Sequence, residues 1–366
     1  MLDYFDAFVT CYQPYKGGAW CYEDGCIYRG LVLLHDATGE DRWRAHLERL
    51  AGAQVGRDGT LKGYRIDEYN IDNILSGRVL FALDRWTGDP RWMRAAALLA
   101  RQLETHPRTK TGNYWHKLRY PHQVWLDGLY MGLPFQIEYA QHVKDPARVQ
   151  DALAQMRMAL DVTIRPDGLY AHGFDAESVQ DWADTATGQS PSVWARALGW
   201  QAMALVDCAE LVGIDTFAQA DLLQPTQALL AQLATLQAGD GGWWQVINMP
   251  DLPGNYTETS AAAMFAYALA SAARLGLGTD QTTRAENRAF DFLQSRLQSD
   301  AGDTRLTDIC HVAGLGGFEG VYRDGSPDYY LTEARVSDDA KGTGPLMMAH
   351  ARVLQGQAIH LTSALA

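Results

Sequence analysis

The chain has 366 residues, of which 47% are hydrophobic and 20% charged, and its formal net charge is −13. No stretch approaches the ~20 apolar residues that a membrane span needs, and the negative charge argues against nucleic acid, whose phosphates would be repelled. Chains of this length form large barrels or toroids as single units, so we expect one domain over residues 1–366.

The N-terminal stretch and the cysteines show no sign of export. The segment MLDYFDAFVTCYQPY carries Asp3 and Asp6 but no basic residue, so it is unlike a signal peptide, although a leader removed earlier stays an open alternative. Five scattered cysteines lack the CxxC spacing of zinc and redox sites, namely Cys11, Cys21, Cys26, Cys208 and Cys310. We therefore expect reduced thiols and a cytoplasmic protein.

A helix is predicted near Leu2–Cys11, and after it one pattern recurs six times along the chain. A glycine-containing turn leads into a short aromatic stretch and then into a long apolar helix. The six copies are GGAWCY from Gly17, DGTLKGY from Asp58, TGNYWHK from Thr111, DGLYAHG from Asp167, DGGWWQV from Asp240 and DGSPDYY from Asp324. Glycine takes positive φ in such turns without strain, and the aromatic residues suit short hairpin strands.

The segments between these turns have helical periodicity and come in pairs. IDNILSGRVLFALDRWTG (71–88) is apolar nearly all round, whereas RWMRAAALLARQLETH (91–106), which follows it, has a polar face. The first kind belongs inside and the second outside. Six pairs predict an all-α (α/α)6 barrel with short β-hairpins in the loops at one rim, which the N-terminal helix completes against the final one. A uniform solenoid is the alternative, but turn spacings from 41 to 84 residues favour a closed ring.

The first turns of the inner helices are expected to converge, because all inner helices of such a ring run the same way. Asp72 lies in the first turn of the second inner helix, and Asp127 in the first turn of the third. The fourth is predicted to begin at QSPSVWARALGW, with Ser190 as its cap and Pro191 at the first helical position.

The fourth and fifth inner helices add further polar groups to this rim. Arg196 and Trp200 are four residues apart, so the guanidinium is predicted to lie against the indole. Together with Trp194 they suggest a sugar platform with an anion clamp. Glu258, at the start of the fifth, is best explained as an acid that the helix macrodipole favours.

The turn loops contribute His116, Lys117 and His172 to the same rim. Single loop histidines are usually ordinary residues, but with two histidines and a lysine at one rim a functional cluster is an equally good explanation. No HExxH or HxxxH spacing appears, so no metal site is predicted. G-x-G-x-x-G, Walker and G-x-S-x-G motifs are absent from the sequence, which argues against nucleotide binding and serine-hydrolase chemistry.

Asp127 is the strongest catalytic candidate, because it is the only charged residue in an apolar run from Val124 to Ile137. We expect desolvation and the like charge of Asp72 to raise its pKa, against the pull of the helix N-terminus, and to leave a proton donor near neutral pH. For Asp72, the helix macrodipole is an equally good explanation.

These motifs resemble a known family. YNIDNILSGRVLFAL, HKLRYPHQVWLDGLYMGLPF, YAHGFD, VWARALGWQAMALVD, NYTETSAAAMFAYALA and DDAKGTGPLM occur in the order seen in the unsaturated rhamnogalacturonyl hydrolases, glycoside hydrolase family 105, which are related to the family 88 glucuronyl hydrolases. The resemblance covers essentially the whole chain. It implies an (α/α)6 barrel that removes a 4,5-unsaturated uronic acid from small anionic oligosaccharides, with neither metal nor organic cofactor.

The resemblance also implies roles for single residues. Asp127 matches the family's general acid/base and Asp72 its second essential aspartate. Four residues match the unsaturated-sugar subsite: His172, Trp194, Arg196 and Trp200. His116 and Lys117 match a pair near the neighbouring sugar, and Trp20 and Tyr22 match, more loosely, an aromatic wall.

The implied chemistry is hydration of the C4=C5 double bond, in which Asp127 protonates C4 and water adds at C5. Two alternatives stay open: a conventional inverting glycosidase with Asp127 as acid and Asp72 as base, and a non-catalytic carbohydrate-binding protein. The sequence leaves the leaving sugar open among rhamnose, sulfated rhamnose and galactose, and it does not indicate an oligomeric state.

Overall fold

The computed structural model describes the backbone of residues 1–300 and 302–364, and the side chains up to residue 357. Fourteen α-helices lie in this part of the chain: α1 (Leu2–Cys11), α2 (Tyr22–Thr38), α3 (Asp41–Gly52), α4 (Leu80–Thr87), α5 (Arg91–Thr105), α6 (Leu126–Val143), α7 (Pro146–Thr163), α8 (Ala195–Val212), α9 (Ile214–Gln219), α10 (Leu223–Leu236), α11 (Thr259–Arg274), α12 (Asp280–Ser295), α13 (Pro327–Thr332) and α14 (Ala340–Ala364). A 3₁₀ segment, Ile71–Val79, continues directly into α4.

Six helical elements form a closed inner ring. In order around the ring they are α2, the 3₁₀ segment with α4, α6, α8, α11 and α14, and α14 packs back against α2. The inner helices are buried on nearly all sides; every residue of α8 from Ala195 to Ala209 is buried, for example. An outer helix follows each of the first five, and α1 packs on α14 as the sixth, with Phe5 against His350. The predicted (α/α)6 barrel, and the ring-completing role of α1, are confirmed.

The core fills the space between the two layers of helices. Large buried side chains on the outer helices, such as Trp43, Trp92 and Phe292, point inward against the apolar inner ring. The outer faces of these helices remain polar and exposed. This division follows from the sequence, because a helix that is apolar on all sides can bury its whole surface only in the inner layer.

The predicted turns lead into the inner helices. All six turn glycines have positive φ: Gly18, Gly59, Gly112, Gly168, Gly241 and Gly325. Four antiparallel strand pairs lie in the described loops: β1 (Gln123–Trp125) with β2 (Gly173–Asp175), β3 (Leu297–Asp300) with β4 (Asp303–Leu306), β5 (Ile309–Cys310) with β8 (Arg335–Val336), and β6 (Gly316–Phe318) with β7 (Val321–Arg323). The β1–β2 pair precedes α6 and α8 at the rim that holds their N-termini.

Candidate active site

Asp127 and His172 are brought together by the β1–β2 pair. β1 ends immediately before α6, and its last residue, Trp125, pairs with Gly173 at the start of β2. The Leu126 amide donates a hydrogen bond to the carbonyl oxygen of His172 (3.0 Å). As a result, Oδ2 of Asp127, in the first turn of α6, lies 3.2 Å from Nε2 of His172.

The Asp127 carboxylate is shielded but not sealed, since its side chain is 16% exposed and the neighbouring His172 is fully buried. Burial raises the pKa of Asp127, but the contact with His172, with a smaller contribution from His116, outweighs burial, so the pKa lies below its ordinary value. The expectation of a raised pKa is therefore wrong. It weighed the apolar run, the charge of Asp72 and the helix N-terminus, but it left out the histidine that the strand pair supplies.

Asp72 lies in the first turn of the 3₁₀ segment, where the Asn70 side chain accepts a hydrogen bond from its amide (3.1 Å). A β-bridge pairs Asn70 with Lys117, and Lys117 Nζ reaches 2.5 Å from Asp72 Oδ2. The other oxygen, Oδ1, is 3.6 Å from His116 Nε2 and has no hydrogen-bond partner among the described residues. Asp72 is thus a buried carboxylate, with one oxygen in an ion pair and the other without a hydrogen-bond partner among the described residues.

His116 lies between the two aspartates. Its ring stacks on Trp125 with the centroids 4.3 Å apart, and the charges of both Asp72 and Asp127 act on it. Burial nevertheless lowers the pKa of His116 to about 4, and the Lys117 ammonium adds to this lowering. The imidazole is therefore neutral near pH 7, and the two aspartates face the same ring at one rim.

Arg196 lies in the first turn of α8 and is almost fully buried, with 1% exposure. Its guanidinium lies over the Trp194 ring at 5.0 Å, and Nη1 donates a hydrogen bond to Ser260 Oγ (3.2 Å). Nη2 is buried and has no partner in the described part of the chain. A buried permanent cation with an unused donor fits a carboxylate or another planar anion.

Glu258 has a structural role. It is the N-cap of α11 and accepts hydrogen bonds from the Ser260 and Ala261 amides (3.0 and 2.7 Å). The Cys310 amide also donates to it (2.9 Å). The interpretation of Glu258 as a helix-terminal acid is confirmed.

The N-terminal aromatic residues lie beside the same basin. Trp20 is buried and donates from Nε1 to the carbonyl oxygen of Asn73 (2.8 Å), next to Asp72. Tyr22 opens α2; burial raises its pKa, and the charges of Asp72 and Arg196 act on its hydroxyl in opposite senses. Tyr22 is therefore near both the aspartate side and the arginine side of the basin.

The start of α8 differs from the prediction. The helix begins at Ala195, with Trp194 as its N-cap, and not at Ser190–Pro191. The preceding residues stay extended because Trp194 forms a bridge with Val246. Ser190 is not a cap; its Oγ accepts a hydrogen bond from the Gly173 amide (3.1 Å).

The predicted contact between Arg196 and Trp200 is also wrong. Trp200 is 2% exposed and stacks on Tyr130 with the centroids 5.3 Å apart. The Arg196 guanidinium lies over Trp194 instead. With the helix beginning at Ala195, Trp200 lies more than one turn inside it, where its ring packs against α6.

Sequence reasoning missed Tyr330 and Gln245. The Tyr330 hydroxyl is hydrogen-bonded to His172 Nδ1 (2.6 Å), and its ring stacks on Trp194 with the centroids 5.6 Å apart. Gln245 bridges the two, since its Oε1 accepts from Trp194 Nε1 and its Nε2 donates to the Tyr330 carbonyl oxygen, each at 3.1 Å. Both lie in repeat copies, DGGWWQV and DGSPDYY, so their position after the turn was the available signal.

Several other features of the described residues bear on chemistry. They contain no cluster of three or more His, Cys, Asp or Glu side chains placed to hold a metal ion. Within the same residues, no helix has the length and apolar character required to cross a bilayer. All five cysteines are free thiols.

A ring of six helical hairpins with two aspartates, an arginine and an aromatic wall at one mouth defines a carbohydrate-processing (α/α)6-barrel enzyme. The chain belongs to the glycoside hydrolases of families 88 and 105: the Glycosyl Hydrolase Family 88 sequence model matches residues 8–356, and a family 105 glycoside hydrolase of C. acetobutylicum ATCC 824 superposes with a TM-score of 0.87 at 33% identity, over 91% of this chain and 93% of that one. The resemblance seen in the motifs is confirmed.

Two further relatives are similar in sequence. Protein Atu3128 of Agrobacterium fabrum is 54% identical over 230 residues, which cover 61% of this chain and 98% of that protein. The unsaturated rhamnogalacturonyl hydrolase YesR of Bacillus subtilis is 26% identical over 264 residues, covering 70% of this chain and 72% of YesR.

Proposed function

We propose that this protein removes the 4,5-unsaturated uronic acid from the non-reducing end of lyase-generated disaccharides, with unsaturated galacturonic acid linked to rhamnose as the preferred substrate. The observation that carries the proposal is the buried Arg196 guanidinium, whose Nη2 is unpaired among the described residues, at the rim that also holds Asp72 and Asp127. The activity named for YesR supports the same substrate class.

Arg196 would bind the uronate carboxylate. The sugar is anionic while the protein carries a net charge of −13, so a fixed local cation is needed to hold it. Trp194, stacked on Tyr330, offers an aromatic surface beside the guanidinium for the sugar ring. The charge of Arg196 acts on the Tyr22 hydroxyl, and Tyr22 would close the opposite side of the subsite.

The reaction follows from the polarity of the double bond. The ring oxygen on C5 pushes electron density toward C4, so Asp127 gives its proton to C4 and positive charge develops at C5. Water attacks C5 and returns a proton to the Asp127 carboxylate, which restores the acid. The resulting hemiketal opens by breaking the bond from C5 to the ring oxygen. This leaves a hemiacetal at C1, which releases the second sugar as an alcohol and leaves an aldehyde.

Asp127 needs a proton before the first step, although its pKa is below the ordinary value in the free protein. The substrate carboxylate would raise this pKa, because a second negative charge nearby favours the protonated form of the aspartate. Binding is therefore coupled to proton uptake. Asp72, held by Lys117, would accept hydrogen bonds from ring hydroxyls, with His116 and Lys117 toward the leaving sugar.

We further propose that residues 1–366 form one catalytic domain and that the protein acts in the cytoplasm. The inner ring, to which segments from Tyr22 to the last helix contribute, supports a single unit. Free thiols at all five cysteines support a reducing compartment.

Asp127→Asn tests the proposal. We expect turnover to fall by about 10²–10⁴-fold, as for loss of a general acid, with binding of the substrate retained. Turnover is followed by the ultraviolet absorbance of the conjugated double bond, and binding by calorimetry. Asp84→Asn, in the half-buried middle of α4 and away from the rim, is the matched control and should behave as wild type.

The absorbance separates the mechanisms. Hydration abolishes the conjugated chromophore, whereas conventional hydrolysis releases the second sugar and leaves the chromophore intact. Sugar release with undiminished absorbance would reject the hydration mechanism. Unchanged turnover in Asp127→Asn, or binding without turnover across a panel of unsaturated disaccharides, would reject the enzymatic role assigned to Asp127.

A further inference from the structure

A second polar pocket lies at the opposite mouth of the barrel, between the C-terminal halves of the inner helices. It has a volume of about 310 Å³. Five arginines line it: Arg29, Arg78, Arg85, Arg274 and Arg352. Glu138 on α6, which also lines it, is eleven residues beyond Asp127 (138 − 127). At 1.5 Å per helical residue this places the pocket about 16 Å along the barrel from the catalytic rim.

Two of the five arginines are committed to ion pairs. Arg78 contacts Asp207 (2.5 Å) and Glu138 (3.1 Å), and Arg352 is paired with Glu210. The Tyr267 hydroxyl completes this network by donating to Asp207 (2.6 Å) and accepting from Arg352 (3.2 Å). These contacts give three of the four acids that line the pocket, Glu138, Asp207 and Glu210, an arginine partner.

The other three arginines have no such partner. Arg29, Arg85 and Arg274 form neither a hydrogen bond nor an ion pair with any described residue through their side chains. Across the whole lining, five arginines face four acids, and the fourth acid, Asp36, lies 3.8 Å from the His35 ring. The pocket therefore keeps an excess of positive charge in a protein of net charge −13.

The helix dipole does not account for the whole set. Arg85 and Arg274 lie in the last turns of their helices, where a cation is favoured. Arg29 lies in the middle of α2, more than two turns before its end, and is only 8% exposed. Its Nε is buried and unpaired among the described residues. The charge of Arg29 acts on Asp207, but Asp207 is already paired with Arg78. A further anion beside Arg29 would therefore stabilise a buried guanidinium that has no partner of its own among the described residues.

We infer that this pocket binds a small phosphate-type dianion, either inorganic phosphate or the phosphoryl group of a phosphomonoester, between Arg29, Arg85 and Arg274. A tetrahedral dianion has enough acceptor oxygens for three guanidinium groups at once, whereas one carboxylate satisfies one or two. The site is separate from the catalytic rim, and its occupation does not depend on which sugar the enzyme cleaves.

The test uses the full chain, in thermal unfolding and calorimetry with sodium phosphate or glucose 6-phosphate against sodium chloride at equal ionic strength. We expect both phosphates to raise the unfolding temperature in a saturable way. Arg85→Gln and Arg274→Gln remove exposed donors. Each should raise the dissociation constant about tenfold, which corresponds to the loss of one charge-assisted hydrogen bond. Arg284→Gln, an exposed arginine of the outer helix α12, should not change it.

A further variant places the ion. If phosphate binds at the far mouth, Lys117→Gln at the catalytic rim leaves the dissociation constant unchanged. Tighter binding of glucose 6-phosphate would identify a phosphomonoester ligand, and equal binding would identify free phosphate. The inference is overturned if phosphate stabilises no more than chloride does, if both pocket variants keep the wild-type dissociation constant, or if only Lys117→Gln loses binding.

Discussion

The direction of the Asp127 pKa shift is set mainly by one neighbour, His172. Its apolar surroundings alone would disfavour the charged form, but His172 Nε2 lies 3.2 Å away and reverses the direction of the pKa shift. The Tyr330 hydroxyl holds the other ring nitrogen of His172 (2.6 Å), so the imidazole has a fixed orientation. A carboxylate with this environment is charged in the free protein and takes up its proton only when an anionic substrate lies beside it.

His172→Gln should therefore move the pH profile. Loss of the imidazole raises the pKa of Asp127, because burial then acts without its counterweight. Since protonated Asp127 begins the reaction, the fall in kcat/KM on the alkaline side should shift to higher pH. Steady-state rates between about pH 4 and pH 9 measure the shift.

His122→Gln is the matched control for this experiment, because His122 lies at the same rim but is 41% exposed and faces Glu177. It should leave the profile unchanged. A profile of His172→Gln that stays in place or moves to lower pH would contradict the role given to His172. His172→Gln is also expected to raise KM, since the His172 ring contacts Trp194.

At the scale of elements, the ring closes through glycine contacts between α2 and α14. A Cβ on Gly344 would lie 2.5 Å from the backbone carbonyl of Cys26, and one on Gly30 would lie 2.7 Å from Met347 Cβ. Backbone atoms cannot move aside as a flexible side chain does. The first and last inner helices thus approach closely because these positions lack side chains.

Gly344→Ala should destabilise the protein by about 1–3 kcal/mol, the usual cost of overpacking a tight contact. Gly356→Ala is the matched control on the same helix, where an added Cβ meets nothing within 4 Å. It should stabilise by about 0.5–1 kcal/mol, because alanine is the better helix former. Urea unfolding of both variants measures the difference, and equal effects would contradict the close α2–α14 packing.

At the scale of the whole molecule, buried neutral histidines link stability to pH. Burial lowers the pKa of His106 and of His116 to about 4, and both are at most 4% exposed. His106 is held as the neutral ring, with Nε2 hydrogen-bonded to the Trp115 carbonyl oxygen (2.8 Å) and Nδ1 to Gln102 Nε2 (3.2 Å). A proton on Nδ1 would face the amide donor.

We therefore expect the free energy of unfolding to fall as the pH drops from about 6.5 to 4, because only the unfolded chain takes up these protons in that range. Each histidine should cost about 2 kcal/mol at pH 5 relative to pH 7.5. Urea unfolding at both pH values measures this, and His106→Gln should reduce the difference. The exposed His142→Gln should not; an equal pH dependence in all three proteins would contradict the prediction.

The sequence by itself determined the architecture and the candidates for its rim. Glycine turns and two kinds of helix recur six times, and such local patterns depend only on neighbouring residues, so the ring of hairpins follows from them. The same reasoning places Asp72 and Asp127 at one mouth, because parallel inner helices share an end.

Only the tertiary structure decided how these residues interact. The pairing of β1 with β2 brings Asp127 next to a histidine 45 positions away (172 − 127). The bridge between Trp194 and Val246 keeps α8 from beginning before Ala195, and Arg196 then lies over Trp194. The arginine pocket likewise draws on α2, α4, α11 and α14. Contacts between distant segments depend on register and on packing, which no local pattern encodes, and electrostatic shifts depend on those contacts.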